Sequence, residues 1–132
     1  TQRYQHNLTL WGSLAEHEQE DVYGRTKRDN IEYDSADKPL TAHTKRINLK
    51  DEQGKSIEIV RQSMPYGDMK RKGLFFVSYC QSPKPFEIIL KSMIHGDCHG
   101  NSDHLLKYTQ AETGSSFFAP SLTFLTHVTD ID

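Results

Sequence analysis

Residues 74–80 are apolar on both alternating faces, with Leu74, Phe76, Ser78 and Cys80 on one side and Phe75, Val77 and Tyr79 on the other. Side chains alternate across a strand, so a run of this kind reads as a central strand covered on both sides. Shortly after it, Phe86, Ile89, Leu90, Met93 and Ile94 recur at i, i+3, i+4, i+7 and i+8, the stripe of an amphipathic helix. Pro85 falls in the first turn of that helix, where its missing N–H costs nothing. A buried strand followed by a core-facing helix demands a layered fold that mixes the two kinds of element.

The remaining elements arrange themselves around this pair. Residues 2–8 alternate Tyr4, His6 and Leu8 with Arg3, Gln5 and Asn7, as a half-buried strand would. Ser13 with Glu16 forms a capping-box pattern, and Gly24 can end the segment in a left-handed conformation, which predicts a helix over 14–23. From Arg25 to Asn48 there is no sustained periodicity and Pro39 interrupts the run, so a long connection is expected. Residues 57–63 alternate again, placing Ile57, Ile59, Arg61 and Ser63 on one face, and Pro65 and Gly67 close the strand. A glycine-bearing loop follows at 96–100, then a short helix over 103–108, a last strand over 115–119 and a helical turn from Pro120. The order β-α-loop-β-β-α-β is the split βαβ arrangement. It implies an α+β, ferredoxin-like fold: an antiparallel sheet with helices on one face, built as one domain from residues 1–132.

Charge is nearly balanced, with 16 basic and 18 acidic residues and a net charge of −2, so no nucleic-acid partner is expected. No apolar run approaches the roughly 20 residues that span a bilayer, so no membrane partner is expected either. Cys80 and Cys98 are too few for a disulfide scaffold and lack CxxC spacing, which points to a reducing, cytoplasmic location. The chain opens on Thr1 directly in a strand-like segment, so the expectation is that the natural start, and any targeting signal, lies upstream. There is no P-loop, Gly-x-Gly-x-x-Gly or Gly-x-Ser-x-Gly, which argues against nucleotide, dinucleotide and serine-hydrolase chemistry.

Three places can carry chemistry. His43 lies in Thr41-Ala42-His43-Thr44-Lys45-Arg46, within the polar connection, where no apolar periodicity accounts for it. Arg61 shares a strand face with Ile57 and Ile59. Because an unpaired buried guanidinium is costly, either that face meets something polar or the strand end is exposed. The stretch from His95 to His104 concentrates His, Cys and Asp and invites a zinc reading. Zinc needs four well-spaced ligands, and the adjacency of Cys98 and His99 is awkward for tetrahedral binding.

Five segments, taken in order, resemble the C-terminal domain of dye-decolourising haem peroxidases, particularly their bacterial cytoplasmic branch. They are Gln2-Arg3-Tyr4-Gln5-His6-Asn7-Leu8, Gly24-Arg25-Thr26-Lys27, the stretch from Lys38-Pro39-Leu40 through His43, Val60-Arg61-Gln62-Ser63-Met64-Pro65-Tyr66-Gly67, and Thr113-Gly114-Ser115-Ser116-Phe117-Phe118-Ala119-Pro120-Ser121-Leu122. The resemblance implies haem b as cofactor, with His43 as the proximal iron ligand. Asp103 would accept the other ring N–H of His43, although as a residue before a short helix it reads equally as an N-cap. Arg61 would be the distal arginine that polarises peroxide, with Ser63 lining the same pocket. Arg46 and Phe76 would contact the cofactor, and Leu74 and Phe75 either join Phe76 against the porphyrin or form plain core.

The implied partners are hydrogen peroxide and an aromatic reductant, in a homo-oligomer. The family's distal Gly-x-x-Asp-Gly motif belongs to its N-terminal domain and does not occur in this sequence, so that domain is expected to be missing from the chain. Two other readings stay open: a haem-binding module without turnover, and a cofactor-free ferredoxin-like dimerisation domain.

Overall fold

The computed structural model describes residues 1–129; the last three residues of the helical segment expected after Pro120 lie outside it. Strand β1 (Gln2–His6) leads into helices α1 (Leu8–Gly12) and α2 (Glu16–Tyr23), then α3 (His43–Ile47). Four strands follow, β2 (Val60–Arg61), β3 (Met64–Gly67), β4 (Lys72–Phe76) and β5 (Ser78–Tyr79). Helix α4 (Lys84–His95), a 3-10 turn (His104–Lys107), strand β6 (Thr109–Gly114) and helix α5 (Leu122–Thr129) complete the chain.

The main sheet has the order β3-β4-β1-β6, and every neighbouring pair is antiparallel. This is the ferredoxin-like order: the first strand lies inside, flanked by the last strand and by one arm of the central hairpin. Side chains opposite one another across antiparallel strands share a face. Tyr4 faces Leu74 and Gln2 faces Phe76, so Gln2, Tyr4, Leu74 and Phe76 lie on one side, and Arg3, Gln5 and Phe75 on the other. An extra residue in β6 breaks the ladder between Arg3 and Tyr4. That residue, Glu112, is turned onto Arg3, with Oε2 2.8 Å from Nε, an example of a bulge re-aiming a side chain.

Strands β2 and β5 pair outside the main sheet, Val60 with Tyr79 and Arg61 with Ser78. Their register is the one that joins Met64 to Phe75 and Pro65 to Leu74. The four short strands are therefore one long hairpin, with Ser63 across from Phe76 and the Gln62 N–H donating to the Val77 carbonyl at 2.8 Å. The hairpin runs past the end of β1, which pairs only as far as Phe76.

Several boundaries differ from expectation. The first strand stops at His6 because Asn7 starts a helix, its Oδ1 accepting from Leu10 N at 3.0 Å. The capping contact of α2 falls two residues later than Ser13 and Glu16: Glu18 Oε2 accepts from Ala15 N at 2.7 Å, while Ala15 has no side-chain acceptor to reciprocate. Gly24 ends α2 in the left-handed region, φ 75, as expected. The long connection contains α3. The last strand is the polar 109–114 segment rather than 115–119, since pairing with β1 satisfies its backbone without an apolar face. The 74–80 run is central in its sheet, yet residues 74–78 are only half-buried and Tyr79 and Cys80 are exposed. Its second face therefore lacks the cover that the sequence pattern implies.

Candidate functional site

Three segments meet at the start of α3. The Asp103 N–H donates to the Met93 carbonyl of α4 at 2.8 Å, and the His104 N–H donates to the Thr41 carbonyl at 3.0 Å. These bonds tie the 3-10 turn to the residues just before His43. Ala42, fully buried, precedes the first turn of α3. His43 thus stands on a helix end fixed from two sides.

The His43 Nδ1–H donates to Asp103 Oδ2 at 2.7 Å, and the Asp103 side chain has no solvent exposure. The other carboxylate oxygen accepts from Leu105 N at 2.9 Å. Asp103 is therefore both N-cap and imidazole partner, one oxygen for each task, and the two readings of the sequence are compatible. A carboxylate can only accept from this ring, so it keeps the proton on Nδ1 and leaves the Nε2 lone pair to bind a metal. Nε2 has no hydrogen-bond partner among the described residues. The His43 side chain as a whole is 22% exposed.

Tyr23 packs edge-on against the imidazole, with ring centroids 6.1 Å apart at 83°. Burial first, and the Asp103 charge second, push the Tyr23 and Tyr4 phenols above their ordinary range. Asp103 thus sits on the Tyr4 side of the sheet, between β1 and α2.

Arg46, one turn beyond His43, is buried, and its Nε has no hydrogen-bond partner. Its nearest acid is Asp97, with Oδ2 3.7 Å from Nη1. Asp97 is committed elsewhere: it accepts from the Asn101 side chain at 3.0 Å and from the backbone N–H groups of His99 and Asn101. These bonds, the Asn101 side chain foremost, hold the Asp97 carboxyl down at about 2. Among the described residues no three His, Cys, Asp or Glu side chains converge to hold a metal ion. The 95–104 segment is organised by Asp97 as a hydrogen-bonded loop.

Arg61, Ser63 and Phe76 follow from the register. Arg61 lies across from Ser78 and Ser63 across from Phe76, and Phe76 shares its face with Tyr4. All three therefore belong to the side of the sheet that carries Asp103. No hydrogen bond or ring contact links them directly to the His43–Asp103 pair. Arg61 is exposed and has no ion-pair partner among the described residues, which answers the question left by the sequence: this strand end is open. Phe76 is half-buried.

Sequence reasoning missed Tyr23, Tyr4 and the Asp97–Asn101 clamp. Tyr4 could have been flagged, since it shares the predicted β1 face with His6. Tyr23 gave no signal, because its contact with His43 depends on how α2 meets α3. A cleft of about 380 Å³ lies at the open base of the hairpin, bordered by Val60, Tyr79 and Pro85. A groove of about 730 Å³ lies at the opposite end of β1. Neither has His43 on its wall.

The chain matches, over residues 1–124, the family model described as Dyp-type peroxidase, C-terminal. It is 40% identical over 126 residues to a dye-decolorizing peroxidase of Mycolicibacterium paratuberculosis, covering 94% of this chain and 36% of that protein. A dye-decolorizing peroxidase of Mycobacterium tuberculosis is also 40% identical, over 96% of the chain and 38% of its own length. Among solved structures, a dyp-type peroxidase protein from Shewanella oneidensis superposes with TM-score 0.91 at 63% identity, over 96% of this chain and 41% of that one. A DypB variant of Rhodococcus jostii in complex with heme superposes with TM-score 0.90 at 35% identity, over 94% and 41%. The chain thus spans about two fifths of the length of these relatives.

Proposed function

The chain belongs to the Dyp-type peroxidase family, and from that premise we propose that it forms the haem-holding half of a peroxidase that reduces hydrogen peroxide and oxidises aromatic donors. The observation that carries the reading is the 2.7 Å bond from His43 Nδ1 to a fully buried Asp103 oxygen. A solvent-exposed loop histidine has no need of such a partner, whereas an iron ligand does: the carboxylate fixes the tautomer, orients the ring and makes the ligand more basic.

The residues present fit the group. His43 Nε2 is free to bind iron. The buried Arg46 guanidinium, with an unsatisfied Nε and only a distant acid, suits a porphyrin carboxylate. Phe76 supplies apolar cover on the same side of the sheet. Haem b, when bound, would supply the two-electron reduction of peroxide that no side chain can perform.

The chain's own contribution is positional and electrostatic. Asp103 holds a proton on Nδ1 and cannot rotate away, because Leu105 N holds its second oxygen. Arg61, an unpaired cation on the same side of the sheet, stabilises negative charge as the peroxide bond breaks, and Ser63 borders that space. No Gly-x-x-Asp-Gly occurs in this sequence. A proton carrier and the second wall over His43 would therefore come from the further length that the relatives possess. The reaction would run in a reducing cytoplasm, where Cys80 and Cys98 stay as free thiols, and in a homo-oligomer.

In the intact protein, His43→Ala should abolish the Soret band of bound haem. Arg61→Ala should retain haem while the reaction with peroxide slows by about tenfold to a thousandfold. Unchanged haem content in the first variant would sink the ligand assignment, and an unaltered peroxide rate in the second would sink the distal role.

A further inference from the structure

Ser78 carries a hydroxyl that nothing in the fold uses. Its Oγ is buried and has no hydrogen-bond partner among the described residues, and the run that holds it, Leu74-Phe75-Phe76-Val77-Ser78-Tyr79, is otherwise made of large apolar and aromatic side chains. A buried hydroxyl without a partner has given up its bonds to water for nothing in return. Such groups are uncommon in native folds and call for an explanation.

The strand register supplies one. Arg61 stands directly across from Ser78. The Gln62 N–H donates to the Val77 carbonyl at 2.8 Å, so Gln62 and Val77 form a hydrogen-bonded pair, and Arg61 with Ser78, the next rung, forms a non-hydrogen-bonded one. Side chains in the second kind of pair stand closer together, with Cβ atoms about 4.5–5.5 Å apart. Arg61 is exposed and has no ion-pair partner among the described residues, so its long stem is free to swing about the open strand end. The two groups are complementary. A guanidinium offers only donors, whereas a serine oxygen has two lone pairs to accept them. A bond from an Arg61 N–H to Ser78 Oγ satisfies the hydroxyl, is strengthened by the charge, and draws the cation from water onto the sheet face that carries Ser63 and Phe76.

We propose that Ser78 is the positioning residue of Arg61: its hydroxyl accepts from the guanidinium and holds it on the peroxide side of the sheet. This rests on the peroxidase reading above. A cation already in place stabilises the charge that develops on peroxide without first having to be gathered in from solvent.

Ser78→Ala, Ser78→Thr and a double-mutant cycle with Arg61→Ala test this in the intact, haem-loaded protein. The alanine change deletes a hydroxyl that bonds nothing in the fold, so the denaturant midpoint should hold or rise. Fluoride, which binds ferric haem iron and is held there by neighbouring hydrogen-bond donors, is the probe. Its affinity should fall about tenfold in Ser78→Ala, and kcat/KM for peroxide should fall with it, while KM for the aromatic donor stays where it was. Ser78→Thr keeps the hydroxyl on a residue that strands accept and should restore both values. With Arg61 already changed to Ala, Ser78→Ala should cause no further loss, because the two changes remove one shared interaction. Wild-type fluoride affinity in Ser78→Ala would overturn the assignment, as would an undiminished loss in the Arg61→Ala background. Either result in a protein that binds haem leaves the peroxidase reading standing; a wild-type protein without a Soret band overturns that reading and the role of Ser78 with it.

Discussion

Asp103 separates two demands that one side chain rarely meets together. Its Oδ1 caps the 3-10 turn and its Oδ2 holds the His43 proton on Nδ1. Asp103→Asn keeps the acceptor for Leu105 N but presents an NH₂ group to the imidazole. The ring must then accept at Nδ1 and carry its proton on Nε2, the nitrogen needed for iron. The variant should lose haem affinity by about tenfold to a hundredfold, measured by haem transfer to an acceptor protein, while its denaturant midpoint changes little. A large loss of stability with haem affinity intact would show that the residue serves the fold alone.

Asp97 gives a pH dependence of defined sign. Its folded carboxyl is held at about 2 against an ordinary 3.8, chiefly by the Asn101 side chain. A depressed carboxylate stabilises the fold above the unfolded value, and that contribution disappears as pH falls from 3.8 towards 2. Asp97→Asn should flatten the stability profile in this window, as followed by the acid-unfolding midpoint. An unchanged acid limb would mean the clamp contributes nothing.

At the level of elements, the contact that seats α3 runs through Gly24. The residue closes α2 at φ 75, where only glycine is unstrained. An added Cβ would stand 2.4 Å from Thr44 Oγ1 and 3.1 Å from Ala42 Cβ. Both neighbours flank His43, so space and backbone conformation demand the same residue. Gly24→Ala should destabilise by about 2–3 kcal/mol and disturb the His43 ring, whereas Gly12→Ala, with nothing within 4 Å, should be nearly neutral or mildly stabilising. Chemical denaturation of the pair checks this, and equal midpoints would refute it.

The same positions explain what could be read from the sequence. Gly24 was legible because a helix end needs a left-handed residue, and α4 because five apolar side chains keep one stripe. The strand at 109–114 was not legible: its polar residues pair through backbone alone. Ser13 and Glu16 misled because Glu18 has the identical spacing to Ala15, and backbone N–H groups donate to whichever carboxylate the turn brings near. His43 and Asp103 could be paired only by resemblance, as 60 residues separate them and no local periodicity encodes their meeting.

For the molecule as a whole, surface is the informative quantity. A folded monomer of 15.2 kDa should expose about 7,100 Å², yet this chain exposes 10000 Å². The surplus, roughly 2,900 Å², is of the size that permanent interfaces bury. It coincides with a shortage of interior: among the described residues only Val22, Ala42, Ile47 and Ile89 are buried hydrophobics, while Phe117, Phe118 and Leu122 are 77%, 85% and 84% exposed. The half-buried 74–78 strand belongs to the same deficit, because its sequence is that of a strand covered twice. A chain so composed gains too little from its own core to fold tightly alone. Produced by itself, it should bind an apolar dye such as anilinonaphthalene sulfonate and unfold over a broad denaturant range. Supplying the additional portion that its relatives carry should suppress dye binding, sharpen the transition and raise its midpoint. A sharp, dye-free transition in the isolated chain would mean that its four-residue core suffices, and that the uncovered sheet face and the exposed phenylalanines await no second layer.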